Sequence, residues 1–311
     1  MATYLVTGGA GFIGSHIAEA LAQRGDDVRV LDALTTGHLK NLAEFQHRVT
    51  FIQGDVRDER VVAEAMQGVE CVFHQAALAS VPMSVERPLD SHAVCATGTV
   101  NVLYQAHRAG VRRVVYAASS SAYGDRPTSS KRETDLPQPL SPYAAAKLTG
   151  ELYCEAFYHT YGLQTVGLRY FNIFGPRQDP KSPYSAVIPL FITRLLAGQR
   201  PLIYGDGHQS RDFCFVANVV HANLLAATAP NVAGRVINIA NGRATSLLEL
   251  IAHLNNLLGT SVDPVHEPPR LGDVRDSMAD ISVARSLLGY DPLVDLEEGL
   301  RRSVEYYRSI V

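Results

Sequence analysis

Tyr143 and Lys147 stand four residues apart in Ser141-Pro142-Tyr143-Ala144-Ala145-Ala146-Lys147. On a helix that spacing sets both side chains on one face, about one turn apart. A phenol with an ordinary pKa of about 10 is a poor base at neutral pH. A neighbouring ammonium favours the phenolate and makes general-base chemistry accessible. The same spacing also describes an exposed Tyr and Lys on an ordinary helix. Two further stretches decide between these readings.

The first is Tyr4-Leu5-Val6-Thr7-Gly8-Gly9-Ala10-Gly11-Phe12-Ile13-Gly14, a β-rich run that meets glycines at 8, 11 and 14 and then enters an apolar-periodic helix. One glycine permits the turn, one lets the backbone approach a pyrophosphate, and one lets helix pack against strand. The helix N-terminus offers free N–H groups to the phosphates. Asp32 ends the next apolar run, 18 residues after Gly14. A carboxylate there holds both ribose hydroxyls and repels a 2′-phosphate, and no arginine follows closely, so the cofactor is read as NAD. Its cationic nicotinamide ring would further favour a Tyr143 phenolate. The second stretch, Ala118-Ser119-Ser120-Ser121-Ala122-Tyr123-Gly124, follows an apolar strand pattern. Hydroxyls at a strand's carboxyl end face the ligand cleft and can bond a sugar hydroxyl or carbonyl.

Elements must carry these groups to one place. Helical patterns repeatedly end in glycine, at Gly25, Gly68, Gly110 and Gly162, each soon followed by a strand pattern. That alternation predicts an α/β, doubly wound parallel sheet of the Rossmann type, with ligands at the carboxyl ends of its strands. A single helix is expected over Leu89 to Arg108 and another from Ser141-Pro142 to Gly162. From about Phe171, proline and glycine become frequent and elements short. Residues 1–172 are read as the dinucleotide-binding domain and 173–311 as a smaller C-terminal substrate-binding lobe. The segment of about 211–240 is expected to pack back onto the first domain.

The net charge of −3 and interspersed signs argue against a nucleic-acid partner. The cysteines Cys71, Cys95, Cys154 and Cys214 have no zinc-type spacing, and no metal site is expected. They read as small core residues in a reducing compartment. No apolar run reaches membrane-spanning length and the N-terminus reads as a core strand, so the expectation is a cytoplasmic protein without a membrane partner.

TGGAGFIG, Gly54-Asp55-Val56, Phe73-His74-Gln75-Ala76-Ala77, SSSAYGD and SPYAAAK together resemble extended short-chain dehydrogenases/reductases that act on nucleotide sugars. LRYFNIFGPRQDP, SRDFCFV and RLGDVRDSMAD carry the resemblance almost to the C-terminus. It is most similar to the UDP-N-acetylglucosamine 4-epimerase branch of the UDP-galactose 4-epimerase group. The resemblance implies Tyr143 as base, Lys147 as its partner and Ser119 as hydroxyl donor. It implies NAD contacts from Gly8, Gly11, Phe12, Ile13, Gly14, Asp32, Thr36, Asp55, Val56, Gln75, Ala76 and Tyr170, besides Tyr143 and Lys147. For a UDP-sugar it implies Ser80, Ser119, Ser120, Tyr143, Asn172, Val187, Ile203, Tyr204, Arg211, Arg270, Asp273 and Ser277. Two arginines suit a diphosphate. It also implies a homodimer through the helices near 89–108 and 143–161. One departure stands out: Cys95 occupies a position where the family usually has asparagine.

The implied reaction is NAD-dependent 4-epimerisation through a transient 4-keto sugar. A small Ser277 where glucose/galactose enzymes carry tyrosine implies room for an N-acetyl group, hence UDP-GlcNAc and UDP-GalNAc; a serine that merely caps a turn is the alternative. UDP-glucose/UDP-galactose epimerisation is the nearest rival. A 4,6-dehydratase would need Asp-Glu where Ser120 and Ser121 stand. A UDP-glucuronate epimerase or decarboxylase, and a non-catalytic dinucleotide sensor, rank lower, the last because Tyr143, Lys147 and Ser119 are all retained.

Overall fold

Thr3–Thr7 (β1) is buried along nearly its whole length, the signature of a central parallel strand covered on both faces. The computed structural model describes residues 2–126, 130–180, 186–269 and 274–310. After β1 come α1 (Phe12–Gln23), β2 (Asp27–Asp32), β3 (Val49–Gln53), α2 (Glu59–Ala65) and β4 (Cys71–His74). Then follow α3 (Val81–Glu86), α4 (Pro88–His92), α5 (Gly98–Arg108), β5 (Arg113–Ser119), α6 (Pro142–Tyr161) and β6 (Gln164–Tyr170). The second half holds β7 (Ile173–Phe174), α7 (Val187–Leu196), β8 (Leu202–Tyr204), β9 (Ser210–Arg211), β10 (Cys214–Phe215) and α8 (Val216–Thr228). It ends with β11 (Arg235–Ile239), β12 (Thr245–Ser246), α9 (Leu247–Leu258), β13 (Val265–Glu267), β14 (Asp276–Ser277), α10 (Ser282–Leu288) and α11 (Leu296–Arg308).

Seven parallel strands form one sheet in the order β11-β6-β5-β4-β1-β2-β3. The chain leaves β1 in one direction through β2 and β3, then returns to β1's other side with β4. The carboxyl ends on either side of β1 therefore open a crevice, the usual ligand position in such sheets. Alternate residues feed two cores: Val6, Val30 and Val115 meet Ile17 and Leu21 of α1 and Val219 of α8. Leu5, Leu31 and Val114 meet Val62 of α2, Leu103 of α5 and Phe157 of α6. The smaller lobe has its own core around Phe174, Phe191, Phe215, Leu250 and Tyr307. Within it β12-β9-β14, β7–β10 and β8–β13 are short sheets. Among the described residues no helix is long and apolar enough to cross a membrane.

The longer helix expected over roughly Leu89 to Arg108 is present as an unbroken helical run, but its middle is widened. Between α4 and α5, Ala93–Thr97 form a π-turn. The Thr99 hydroxyl donates to the Cys95 carbonyl at 2.7 Å, a side-chain bond that helps hold the widened coil. Gly98 sits so near Val56 that a β-carbon there would lie 2.7 Å from its methyl.

Candidate active site

A cleft of about 680 Å³ opens over the carboxyl ends of the sheet. Its wall includes Gly8, Gly11, Phe12, Ile13, Gly14, Asp32, Thr36, Asp55, Val56, Gln75, Ala76, Ser80, Tyr143, Lys147 and Tyr170. Gly8 and Gly14 are sterically required. Gly8 has φ +67° and a β-carbon there would lie 2.7 Å from the Ala76 amide nitrogen. A β-carbon on Gly14 would overlap the Gly8 carbonyl, whereas one on Gly11 would meet only that carbonyl oxygen, at 3.1 Å. The loop is thus closed towards the protein and open towards the cleft, and α1 begins there with no side-chain cap on its amides.

Asp32 is held from both oxygens. Its Oδ2 accepts the Ala10 N–H at 2.9 Å and its Oδ1 the Leu34 N–H at 2.8 Å. Gly37 packs so closely that a β-carbon would lie 2.8 Å from that carboxylate. Asp32 lines the cleft, where its remaining lone pairs can accept from ribose hydroxyls. Asp55 lies further along, gripped by Arg57 at 2.6 Å, which holds its carboxyl below the usual range. Together the glycine cradle and the Asp32 carboxylate fit an NAD.

Under the loop runs a buried relay. Thr7 Oγ1 and His74 Nδ1 are 2.7 Å apart, His74 Nε2 and Thr99 Oγ1 3.0 Å. Thr99 gives its proton to Cys95 and so accepts from Nε2–H, while Nδ1 accepts from Thr7, which in turn accepts from the Ala76 N–H. These bonds select one neutral tautomer. Burial, then Lys147, push His74 down to about 3. The relay ties the glycine loop to the π-turn.

Ser141 caps α6 by accepting the Ala144 N–H at 3.2 Å, with proline at the first helical position. This fixes Tyr143 and Lys147 over β5. Lys147 is 3 % exposed and its Nζ donates to the Ala117 carbonyl at 2.8 Å, 5.0 Å from the centre of the Tyr116 ring. Burial lowers its pKa, opposed by Cys95 and Glu151. Glu151, one turn on, makes a buried ion pair with Arg169 at 2.7 Å. The Tyr143 phenol runs against the simple expectation of a lowered pKa. Burial, then Cys95, drive it upward, and the Ser119 hydroxyl is the group drawing it down by a hydrogen bond. Ser119 Oγ in turn lies 2.8 Å from Ser121 Oγ.

A second cavity, of about 340 Å³, lies in the smaller lobe and shares Ala186 with the cleft. Asn172, Val187, Tyr204 and Arg211 line it, with apolar Leu190, Phe191 and Phe213. Ile203 does not: strand alternation turns it fully into the core, and its neighbours Leu202 and Tyr204 form the wall. Ser277 lies beside Arg211 in the register of β14 and β9, outside the walls of both cavities. Ser120 opens the turn after β5 and also lies outside them. Arg270 and Asp273 lie outside the described residues. Asp212, fully buried beside Arg211, fastens this region. It accepts from the Asn241, Gly242 and Ala279 amides at 2.9, 3.0 and 3.3 Å, and burial raises it to about 6. Sequence reasoning missed Arg177 and Gln178 in the cleft wall, although their Gly-Pro-Arg-Gln stretch was part of the resemblance.

A doubly wound sheet with this glycine cradle, a half-buried Tyr143 and a buried Lys147 in its cleft defines a dinucleotide-dependent enzyme of the short-chain dehydrogenase type. Residues 4–240 match the NAD dependent epimerase/dehydratase family. The chain is 39% identical over 310 residues to the UDP-glucose 4-epimerase of Mycolicibacterium smegmatis, covering 98% of each. Its structure is similar to UDP-N-acetylglucosamine 4-epimerase from Methanobrevibacter ruminantium in complex with UDP-N-acetylmuramic acid. The TM-score is 0.96 at 39% identity, over 100% of this chain and 99% of that one. It is also similar to the Thermus thermophilus UDP-glucose 4-epimerase complex with NAD, with TM-score 0.90, 36% identity, and 99% and 100% of the two chains covered. This chain belongs to the NAD dependent epimerase/dehydratase family, and its cofactor is NAD.

Proposed function

We propose that the protein interconverts the 4-epimers of UDP-sugars, chiefly UDP-GlcNAc and UDP-GalNAc, through a transient 4-keto sugar. The carrying observation is the hydrogen-bonded Tyr143–Ser119 pair beside the cofactor cleft, next to a second cavity that contains Arg211. NAD, when bound, supplies a reversible hydride acceptor. Tyr143 Oη takes the proton of the sugar 4-hydroxyl and later returns it, while Ser119 bonds the same sugar oxygen. Lys147, fixed by the Ala117 carbonyl, adds a positive charge that favours the phenolate. Arg211 balances the diphosphate, and the apolar wall of the second cavity receives the uracil. Elimination of water finds no carboxylic acid at Ser120 or Ser121, which disfavours dehydratase chemistry.

The sugar assignment rests on the resemblance at Ser277, which stands beside the cavity residue Arg211 in the register of β14 and β9 rather than in a cavity wall. Products formed from UDP-glucose, UDP-galactose and their N-acetylated counterparts test it directly. The acetylated pair is expected to react faster, and Ser277→Tyr to slow that pair selectively by the ~1–3 kcal/mol typical of overpacking. Equal losses on both pairs, or none on the acetylated pair, would remove Ser277 as the determinant.

We also propose a homodimer. Leu89, Tyr104, Leu152 and Tyr153 are exposed apolar side chains on α4, α5 and α6, and Leu89 is 82% exposed. Paired helices of a second copy would cover them. Sedimentation should give twice the chain mass, and Leu152→Glu should shift it to monomer; a wild-type monomer at micromolar concentration contradicts the proposal.

A further inference from the structure

Arg177 and Gln178 wall the cofactor cleft without a role in the chemistry above. They belong to the loop that leaves β7 at Gly175. Arg177 holds φ at +68°, a conformation rarely adopted by a residue with a side chain and retained where surrounding contacts over-determine it. The contacts are specific. Its Nη2 lies 2.7 Å from Glu19 Oε2 on α1, with the two side chains only 13% and 21% exposed. The guanidinium also reaches Ser15 Oγ at 3.5 Å and sits 5.6 Å over the centre of the Phe45 ring. One residue back, the Pro176 carbonyl bonds His16 Nε2 at 3.0 Å, and burial followed by Arg177 depresses His16 to about 4, so neutral imidazole donates there.

The loop's other side is tied to the smaller lobe. Tyr307 Oη donates to the Gln178 carbonyl at 2.7 Å. Gln178 Nε2 donates to the Ile173 carbonyl at 3.2 Å, yet its buried Oε1 has no hydrogen-bond partner among the described residues. An unsatisfied amide oxygen in a residue of the cleft wall points to a ligand donor. The loop thus spans from α11 to α1, the helix whose first turn forms part of the cofactor site.

We propose that Arg177, fixed by Glu19, is a positioning residue that locks this loop against α1 and retains NAD in the cleft from one turnover to the next. The proposal rests on the epimerase reading, because a reaction that returns its hydride requires the cofactor to stay. A partly shielded ion pair on packed elements suits that task better than an exposed one.

The test is the rate at which bound NAD leaves, read as NAD remaining with the protein at timed intervals after dilution and gel filtration. Arg177→Ala and Glu19→Gln should each release NAD at least ~10-fold faster than wild type, a change in dissociation rate. Added NAD should rescue their turnover, and the exchanged pair Glu19→Arg/Arg177→Glu should restore retention. If Arg177→Ala fails to fold, Glu19→Gln carries the same reading. Release at the wild-type rate in Glu19→Gln overturns the proposal, as does lost turnover that added NAD cannot rescue. A wild-type protein that consumes NAD stoichiometrically would instead overturn the epimerase reading itself.

Discussion

Tyr143→Phe is expected to lose at least ~10²-fold in turnover, the usual scale for loss of a general base. The ring fills the same space, so the contacts of Cys95, Ala96 and Ala146 around Tyr143 persist. Lys147 keeps its bond to Ala117, which does not involve the phenol. NAD content and UDP affinity should therefore match wild type while epimerisation collapses. Ser119→Ala should cost less, because Ser121 stands 2.8 Å away and water can take the hydroxyl's place. Rates are read from the epimer ratio over time at saturating substrate. Wild-type turnover by the Phe variant would take Tyr143 out of the mechanism.

Gly14→Ala should weaken cofactor binding by roughly 10- to 100-fold. The added methyl overlaps the Gly8 carbonyl, and also lies 2.9 Å from the Gly9 α-carbon. These are backbone atoms, so no rotamer change relieves the clash. Gly8 has little room to yield: its N–H donates to the Leu31 carbonyl at 2.8 Å and its own carbonyl accepts the Gly11 N–H at 3.1 Å. The loop must shift, and overpacking of this kind costs ~1–3 kcal/mol. Wild-type protein should release NAD(H) on heating, close to one for each chain, and turn over with none added. The variant should fold, as judged by circular dichroism, carry far less NAD(H) than wild type after purification, and depend on added NAD for turnover. A Gly14→Ala protein with a full complement of NAD(H) would show that the loop is not the cradle described here.

Part of this design was open to reading from residue types alone. The glycine spacing at 8, 11 and 14, Asp32 at a strand's end, and Tyr143 four residues before Lys147 are local patterns. Their meaning depends on backbone a few residues away, and helix and strand periods convert spacing directly into facing. The alternation of helix and strand gave the parallel sheet for the same reason.

Other features required distant chain segments. The helix through Cys95 is widened by a π-turn that its own sequence does not announce, held by a bond relay reaching back to Thr7. Ile203 turns inward because the pairing of β8 with β13 and the packing of the smaller lobe fix which strand face is buried. The Tyr143 phenol is driven upward by burial, then Cys95, a desolvation that depends on elements far from it in the chain. Arg177 meets Glu19 across 158 positions, a contact that no local period encodes. The glycine cradle and the proposed Tyr143–Lys147 pair can be read from residue spacing, since each is set by short-range geometry. The upward shift of the Tyr143 phenol and the Arg177–Glu19 tie arise only from distant elements coming together, because desolvation and long-range pairing exist only once the lobes are packed.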